Sequence, residues 1–537
     1  MLRERQIKVL EGLLKGEAFE WSILVLDRTG QGIVAPLFRR SELMDLGIVG
    51  VARIEEKRER VEEARGVYLV EGTKENAEII KEDVVQGKYR EIDVIFTGSV
   101  QRGIFEDLAV SVGRKGEGNR IKRIADGLVA LCVLHANMYT LNIKDSFMKK
   151  GISETIEIGL VSLLKGLDNP VIYTEKRYAG VCEEIEKKVK SLGVREKSGK
   201  KSSAVLVVGR EIDLVTPVEH GWTYSALISD ILEYDLNKVT VPAQMVKTEE
   251  VIGVETEKGE KVFDLNRFDS FWDRNQNEYF PEVAERVEHE LGEYKADLAQ
   301  RSIDSSSSKD AIFAALNKVP ELSQRNKTIH THMTLSLSLV EEIKKQKIDE
   351  IYSIENDTKK ISDVKDELED LLPKISVEHA LRMCVVLSKR FSNEKSYLMS
   401  LAKKKGCSSE ILNFLTQGEE EFKEGTSVVL GAASSILRNI KRILPFRKKL
   451  PLATAVENLL NHRSAYQRID IGESSEAQGF SSVHVFVIGG GTFAEYKALL
   501  DLAEEKQIEI TYGSTEILSP TKFISRIEEV LKKPPHK

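Results

Sequence analysis

Three apolar runs that break abruptly into turn chemistry constrain this chain most: Trp21 to Asp27 (WSILVLD), Val205 to Gly209 (VLVVG) and Val483 to Gly489 (VHVFVIG). A run that is apolar at nearly every position, instead of at every second one, suits a strand covered on both faces by helices, as in a parallel sheet. Each run stops at Asp or Gly, where a crossover loop has to begin. At least two α/β layers are therefore expected.

Residues 1 to 128 alternate strand and helix signals: Ile23 to Asp27, Gly66 to Val70 and Asp93 to Thr97 read as strands, with helical stretches around Glu42, Glu75 and Glu106. That alternation predicts a parallel α/β domain. A second set of strands, Val171 to Tyr173, Ala204 to Val208, Val483 to Ile488 and Ile508 to Tyr512, is split by nearly three hundred residues, which suggests one domain interrupted by an insertion. The insertion is rich in Glu, Lys, Leu and Ser at helical spacing, has one strand-like run at Val251 to Thr256, and contains the low-complexity stretch Ser305 to Asp310. It is expected to be mainly helical.

The chain has 537 residues, too many for one ordinary core, and its 41 % hydrophobic and 31 % charged content is that of a soluble globular protein. Cys132, Cys182, Cys384 and Cys407 are scattered with no C-x-x-C pair, so neither a disulfide frame nor a zinc site is indicated and a reducing cytosol is expected. The N-terminus is charged from Arg3, and no window approaches the ~20 apolar residues of a membrane span. A formal net charge of -7 argues against nucleic acid as the main partner. A basic cluster, Arg438, Lys441, Arg442, Arg447, Lys448 and Lys449, reads as a solvated helix end and linker.

Catalytic readings find little support in motif or spacing. Gly489-x-Gly491-x-x-Ala494 matches the dinucleotide fingerprint in form, and a nucleotide-dependent α/β enzyme using this turn is the alternative reading of the chain. The turn comes too near the end of the sequence to start a nucleotide domain, and no strand ends in an acidic residue at the usual spacing of ~20, since Glu509 lies inside the next strand and Glu516 beyond it. Asp213, Thr216 and His220 lie close together without a G-x-S-x-G elbow, so Thr216-Pro217 is expected to be a turn. His330 and His332, two apart, point away from each other on a helix and cannot share a metal; they are expected at the surface or at an interface. No cofactor and no enzyme activity are expected.

Six pieces in order carry a resemblance: Leu26-Asp27-Arg28; Gly209 to Pro217 with Thr223-Tyr224; Phe271-Trp272 with Phe280 to Glu285; Pro320-Glu321-Leu322; Leu450-Pro451; and Val487 to Gly491 with Glu495-Tyr496 and Tyr512 to Thr515. Together they resemble the SM (Sec-one/Munc-eighteen type) family of SNARE-binding vesicle-fusion proteins over nearly the whole chain, most closely its Sly-one branch. The family is described as a three-domain arch. The resemblance thus implies an α/β fold with two parallel-sheet domains, 1–128 and a discontinuous 129–222 with 456–537, and a mainly helical inserted domain, 223–455.

It also implies a function, a regulator that clasps syntaxin and templates SNARE assembly in vesicle docking and fusion between endoplasmic reticulum and Golgi. Expected partners are a syntaxin-type SNARE, the assembling SNARE bundle and tethering factors, with no nucleic acid. Expected localisation is cytoplasmic, peripheral on endoplasmic reticulum, Golgi or vesicle membranes through those SNAREs. A syntaxin N-peptide pocket is expected at Ile104, Phe105, Glu106, Asp107, Leu108, Ala109 and Val112, with the apolar residues as floor and an acid meeting a basic residue of the peptide. Asp27, Arg28, Arg39 and Arg40 are expected to face a SNARE cleft with charge. The template helix is expected to use Pro320, Leu322, Arg325, Lys327, His330, Met333, Leu335 and Leu339. Ile329, Met333, Val340 and Ile343 make one seam of that helix, and Leu335 and Leu339 a second, spare stripe open to a partner helix. Two departures from the family pattern stand out. Gly209-Arg210-Glu-Ile-Asp213-Leu214 lacks the first acid and the proline of Asp-Arg-x-x-Asp-Pro, and Ser302 to Lys318 is too short for a long lid.

Overall fold

The computed structural model describes residues 1–15, 21–144, 146–147, 154–192, 201–242, 245, 254–255, 259–303, 309–357, 360–417, 449–471 and 479–532, with side chains at all of these except 254–255, 298–303, 309–321 and 357. The chain divides into two compact units. The first is Met1–Arg210 with Ala455–Gly491 and Ala503–Ile517; the second is Glu211–Thr454 with Thr492–Leu502 and Leu518–Lys537.

The first unit holds two sheets. One runs β1 (Ser22–Leu26), β2 (Ile48–Arg53), β3 (Val61–Val70), β4 (Tyr89–Phe96) and β5 (Ile121–Asp126), ordered β2-β1-β3-β4-β5 and parallel throughout. The helices in this stretch of the chain are α1 (Leu2–Leu14), whose Leu2 joins the core of the second sheet, α2 (Arg28–Val34), α3 (Arg40–Asp45), α4 (Lys74–Val85) and α5 (Arg102–Arg114). Val25, Tyr68, Val94 and Phe96 of the sheet pack with Ile80 of α4 and with Leu108 and Val112 of α5. Burial on this scale, at about 25 cal/mol per Å² of apolar surface, is what fixes the register. β2 and β5 carry no run legible in the sequence, because half of their positions are polar, small or solvent-facing.

The second sheet draws strands from both sides of the long insertion. Before it come β6 (Cys132–His135), β7 (Met138–Thr140), β8 (Pro170–Thr174) and β9 (Ser202–Gly209). In the second unit lie β10 (Glu233–Asp235), β11 (Lys238–Val241), β12 (Val254–Glu255) and β13 (Lys261–Asp264), and after the insertion β14 (Gln467–Asp470), β15 (Phe480–Ile488) and β16 (Glu509–Ser514). The sheet order is β14-β8-β9-β15-β16-β7-β6, parallel at its centre with antiparallel edges at β14 and β6. β9 and β15 align Val205 with His484 and Val207 with Phe486, so strands nearly three hundred residues apart share the core. Helices α6 (Glu154–Leu164) and α7 (Ala179–Ser191) cover it.

The second unit is mainly helical: α8 (Tyr224–Ile231), α9 (Ser270–Asn275), α10 (Phe280–Ile303), α11 (Lys309–Gln346), α12 (Ile348–Asp357), α13 (Lys365–Leu371), α14 (Val377–Arg390), α15 (Lys395–Lys405) and α16 (Ser409–Leu415). β10 to β13 add a small antiparallel sheet, of which the sequence shows only the run at Val251 to Thr256. α10 and α11 pack along each other, and α11 also meets α8 and α12. Of the basic cluster only Lys449 is among the described residues, and Ser305 to Ser308 lie outside them.

Candidate functional site

The expected N-peptide pocket splits into two faces of α5. Ile104, Leu108 and Val112, spaced four apart, are buried, and the last two belong to the core of the first sheet, so they are not an open floor. The pocket expectation is corrected at those three positions. One step round the helix, Phe105 is 40 % exposed and Ala109 is also exposed, which leaves an aromatic ring beside a small residue. Glu106 already accepts from Arg102 at 2.6 Å, and Asp107 lies 3.4 Å from Lys81 of α4. Exposed pairs of this kind are worth ~0.5 kcal/mol and yield readily to an incoming cation.

The expected charged cleft loses its acid. Asp27 is 5 % exposed and is a cap: its carboxylate accepts from the Gly30 amide at 2.7 Å, from the Glu71 amide at 2.7 Å and from Asn76 Nδ2 at 2.9 Å. Those bonds tie the end of β1 to the turn between β3 and α4, and a side chain at Gly30 would strike the Leu69 carbonyl. Arg28, Arg39 and Arg40 are exposed, and the Arg39 amide donates to Glu42 at 2.6 Å in the first turn of α3.

In the expected template helix the spare stripe is absent: Leu335 and Leu339 are both 0 % exposed. The reason is the number of neighbours α11 has; with α8, α10 and α12 packed on it, one stripe cannot cover every contact. Ile329 and Ile343 are buried, Leu322, Met333 and Val340 half-buried, and Lys327 and Leu337 exposed. Pro320 lies in the helical backbone outside the residues whose side chains are described. Arg325 donates to Asp297 at 2.8 Å, to Glu293 at 3.0 Å and to Glu290 at 3.2 Å, so one guanidinium on α11 gathers three acids of α10. The acids at 290, 293 and 297 share one face of α10, a spacing that is legible in the sequence and absent from the expected site.

The histidines also depart from expectation. His332 is fully buried: its Nδ1 lies 2.9 Å from the Tyr224 hydroxyl and its Nε2 is 3.1 Å from Asp269, whose carboxylate caps α9 at Phe271 and Trp272. His330 is half-buried. His220 belongs to a second relay, with Glu355 at 2.8 Å on Nδ1 and His379 at 3.0 Å on Nε2, and His379 in turn meets Gln346 at 2.8 Å. Burial, with the nearby Arg382 guanidinium, pushes the pKa of His220 down, and burial beside His220 and Arg382 lowers His379 to about 3. Arg382 itself forks onto Asp230 at 2.9 and 2.5 Å. Asp213 accepts from the amides of Val215 and Thr216 at 3.0 Å, a turn closure and not a hydrolytic acid.

The glycine-rich turn is closed to phosphate. The Gly489 amide donates to the Thr515 hydroxyl at 3.1 Å and the Gly491 amide to the Glu516 carbonyl at 2.8 Å. A Cβ at Gly491 would collide with the Tyr512 hydroxyl and with Ser514, so side chains already fill the space where a pyrophosphate would rest. Thr492 and Glu495 form a buried capping box at the start of the following helix, which consumes further donors. A fingerprint site needs these donors open.

Among the described residues no group of three His, Cys, Asp or Glu side chains is placed to hold a metal, and no helix is long and apolar enough to cross a membrane.

Comparison with known proteins gives a consistent result. The family model described as the Sec1 family matches residues 22–526. The SEC1 family transport protein SLY1 of Encephalitozoon cuniculi is 33 % identical, covering 98 % of this chain and 99 % of that protein. Protein SLY1 of Saccharomyces cerevisiae is 24 % identical, covering 97 % and 92 %. Among solved structures, Sly1p in complex with an N-terminal peptide of Sed5p superposes with a TM-score of 0.80 at 22 % identity, covering 98 % of both chains. The SM protein Vps45 in complex with the Qa SNARE Tlg2 superposes with a TM-score of 0.79 at 17 % identity, covering 99 % of this chain and 98 % of that one.

Proposed function

Because the chain belongs to the Sec1 family, we propose that it is a SNARE-binding regulator that clasps a syntaxin-type SNARE and templates SNARE assembly in vesicle docking and fusion. The observation that carries this reading is similarity to a SLY1 transport protein over 98 % of this chain and 99 % of that protein. Traffic between endoplasmic reticulum and Golgi, from a cytoplasmic position on those membranes, is the step that best fits the SLY1 relatives. Binding, and not bond chemistry, is the mechanism. SNARE helices lose conformational entropy before they zipper, and a preformed surface that orders them lowers that cost and disfavours mismatched pairs.

Three surfaces are proposed to take part. The Phe105 and Ala109 side of α5 would receive an apolar side chain of a syntaxin N-terminal peptide, with Glu106 exchanging Arg102 for a basic residue of the peptide. Arg28, Arg39 and Arg40 would meet acidic SNARE positions. The outward positions of α11, such as Lys327 and Leu337, would guide an entering helix, while Leu335 and Leu339 hold the helical unit together from inside. The experiment is capture of SNAREs from solubilised membranes by the immobilised full chain, followed by a liposome fusion time course with the captured set. Specific retention of a syntaxin-type SNARE and faster fusion are expected; retention of none, with an unchanged rate, overturns the reading.

A further inference from the structure

Five side chains of the second unit form one continuous run of hydrogen bonds. Glu355 of α12 lies 2.8 Å from His220 Nδ1, His220 Nε2 lies 3.0 Å from Nδ1 of His379 on α14, and His379 Nε2 lies 2.8 Å from the side-chain oxygen of Gln346, whose amide nitrogen donates to Glu342 of α11 at 2.7 Å. His220, Glu355 and His379 are buried, so bulk water does not reach them to correct a mismatch of donors and acceptors. The run has a direction, and Glu342 sets it. Against the burial that would raise its pKa, hydrogen bonds from Lys345, at 2.8 Å, and from Gln346 hold this carboxyl below its usual range. A carboxylate only accepts, so Gln346 turns its amino group to Glu342 and its oxygen to His379. His379 then has to donate from Nε2, which leaves its Nδ1 as an acceptor. His220 in turn has to donate from Nε2, which leaves its own Nδ1 as an acceptor. The remaining partner, Glu355, has to be a donor.

We propose that Glu355 is held protonated in the folded chain, and that its proton is a pH-sensitive latch closing this relay across α11, α12, α14 and the turn before α8. The other arrangement with as many protons, an ionised Glu355 beside a cationic ring, sets an imidazolium near the buried Arg382 guanidinium. Burial, with Arg382 nearby, pushes both rings away from the charged form. Arg382 is itself matched by its fork onto Asp230, with Glu378 at 3.8 Å. The other titratable groups around Glu355 are the Cys384 thiol, pushed up by burial to about 12, the Tyr352 hydroxyl, also raised by burial, and Arg390, which donates to the Glu355 backbone carbonyl at 2.5 Å. Removing the proton sets two acceptors face to face at one of the three contacts, and in a buried network that contact fails. A carboxyl kept protonated by the fold contributes fully below its unfolded range, near pH ~4.3, and the contribution is lost as pH rises through the folded value, opposite in sign to the histidines.

The test is infrared difference spectroscopy of the full chain at neutral pH, wild type against Glu355→Gln, with the histidine tautomers of the wild type read by nitrogen NMR and assigned with His220→Gln and His379→Gln. A carboxylic-acid carbonyl band that shifts in heavy water and is missing from Glu355→Gln is expected, with both rings neutral and protonated on Nε2. Glu355→Gln keeps a donor toward His220, so its thermal melt at neutral pH should be unchanged. Raising the pH to about 10 should abolish the band and lower the hydrogen-exchange protection of α12 and α14 at least tenfold in the wild type, but not in Glu355→Gln. Absence of the band, a cationic ring, or a ring protonated on Nδ1 alone overturns the proposal, and the tautomers of the wild type decide it even where the variant fails to fold. An equal loss of protection in wild type and Glu355→Gln overturns the latch.

Discussion

His379 shows how one side chain couples the inside of the helical unit to solution conditions. It bridges His220 and Gln346, and its pKa is lowered from 6.5 to about 3 by burial beside His220 and Arg382. The unfolded chain therefore takes up a proton near pH 6.5 that the folded chain refuses until about pH 3, so the contribution is whole above pH 6.5 and drains away as pH falls through that window. Thermal melts from about pH 7.5 to 4 should show a falling midpoint, and His379→Gln, which keeps a donor without the titration, should flatten part of that slope; an identical slope in the variant rules out His379 as its source. Leu335 belongs to the same scale. As a fully buried leucine it should not tolerate Leu335→Asp, which strands a carboxylate in the core and should cost upwards of ~3 kcal/mol, read as a collapsed or strongly lowered melt. An unaffected melt would return the stripe to the surface.

At the scale of elements, the long parallel strands were legible because they are apolar at nearly every position, and β1, β9 and β15 fall on the runs that announced them. Edge and minor strands such as β2, β10, β13 and β14 were not, since a strand covered on one side or none carries no continuous run and little alternation over roughly four to six residues. Helix faces were harder still. Periodicity marks α5 and α11 as amphipathic but cannot say how many neighbours each will have, and that number decided that Leu108 and Leu335 are core while Phe105 stays half in water. The element-level prediction follows from that split. Phe105→Asp should abolish binding of a syntaxin N-terminal peptide, a loss of at least about tenfold or ~1.4 kcal/mol, while the melt moves little because the ring is already 40 % exposed. Calorimetric titration of the peptide beside the melt checks it: unchanged affinity removes the α5 surface from the proposed function.

For the whole molecule the choice lies between a chain that binds protein and one that binds a nucleotide, and ligand linkage separates them. A ligand that binds only the folded state stabilises it by RT ln(1 + [L]/Kd), ~2.7 kcal/mol at about a hundredfold excess over Kd, whichever surface it uses. The cytosolic part of a cognate syntaxin-type SNARE should therefore raise the melting temperature in proportion to the logarithm of its concentration. NADH or ATP should not, because the Gly489 and Gly491 amides are spent on Thr515 and Glu516 and Tyr512 occupies the space above them. Opening that turn to a pyrophosphate would mean breaking both bonds and moving buried Tyr512 and Ser514, each 0 % exposed, on β16 beside β15. The cost of emptying such a site, several kcal/mol for the lost packing alone, exceeds what a turn offering few open amides returns. A saturable rise in melting temperature with either nucleotide, and none with any SNARE fragment, would overturn the binding assignment and bring the enzyme reading back.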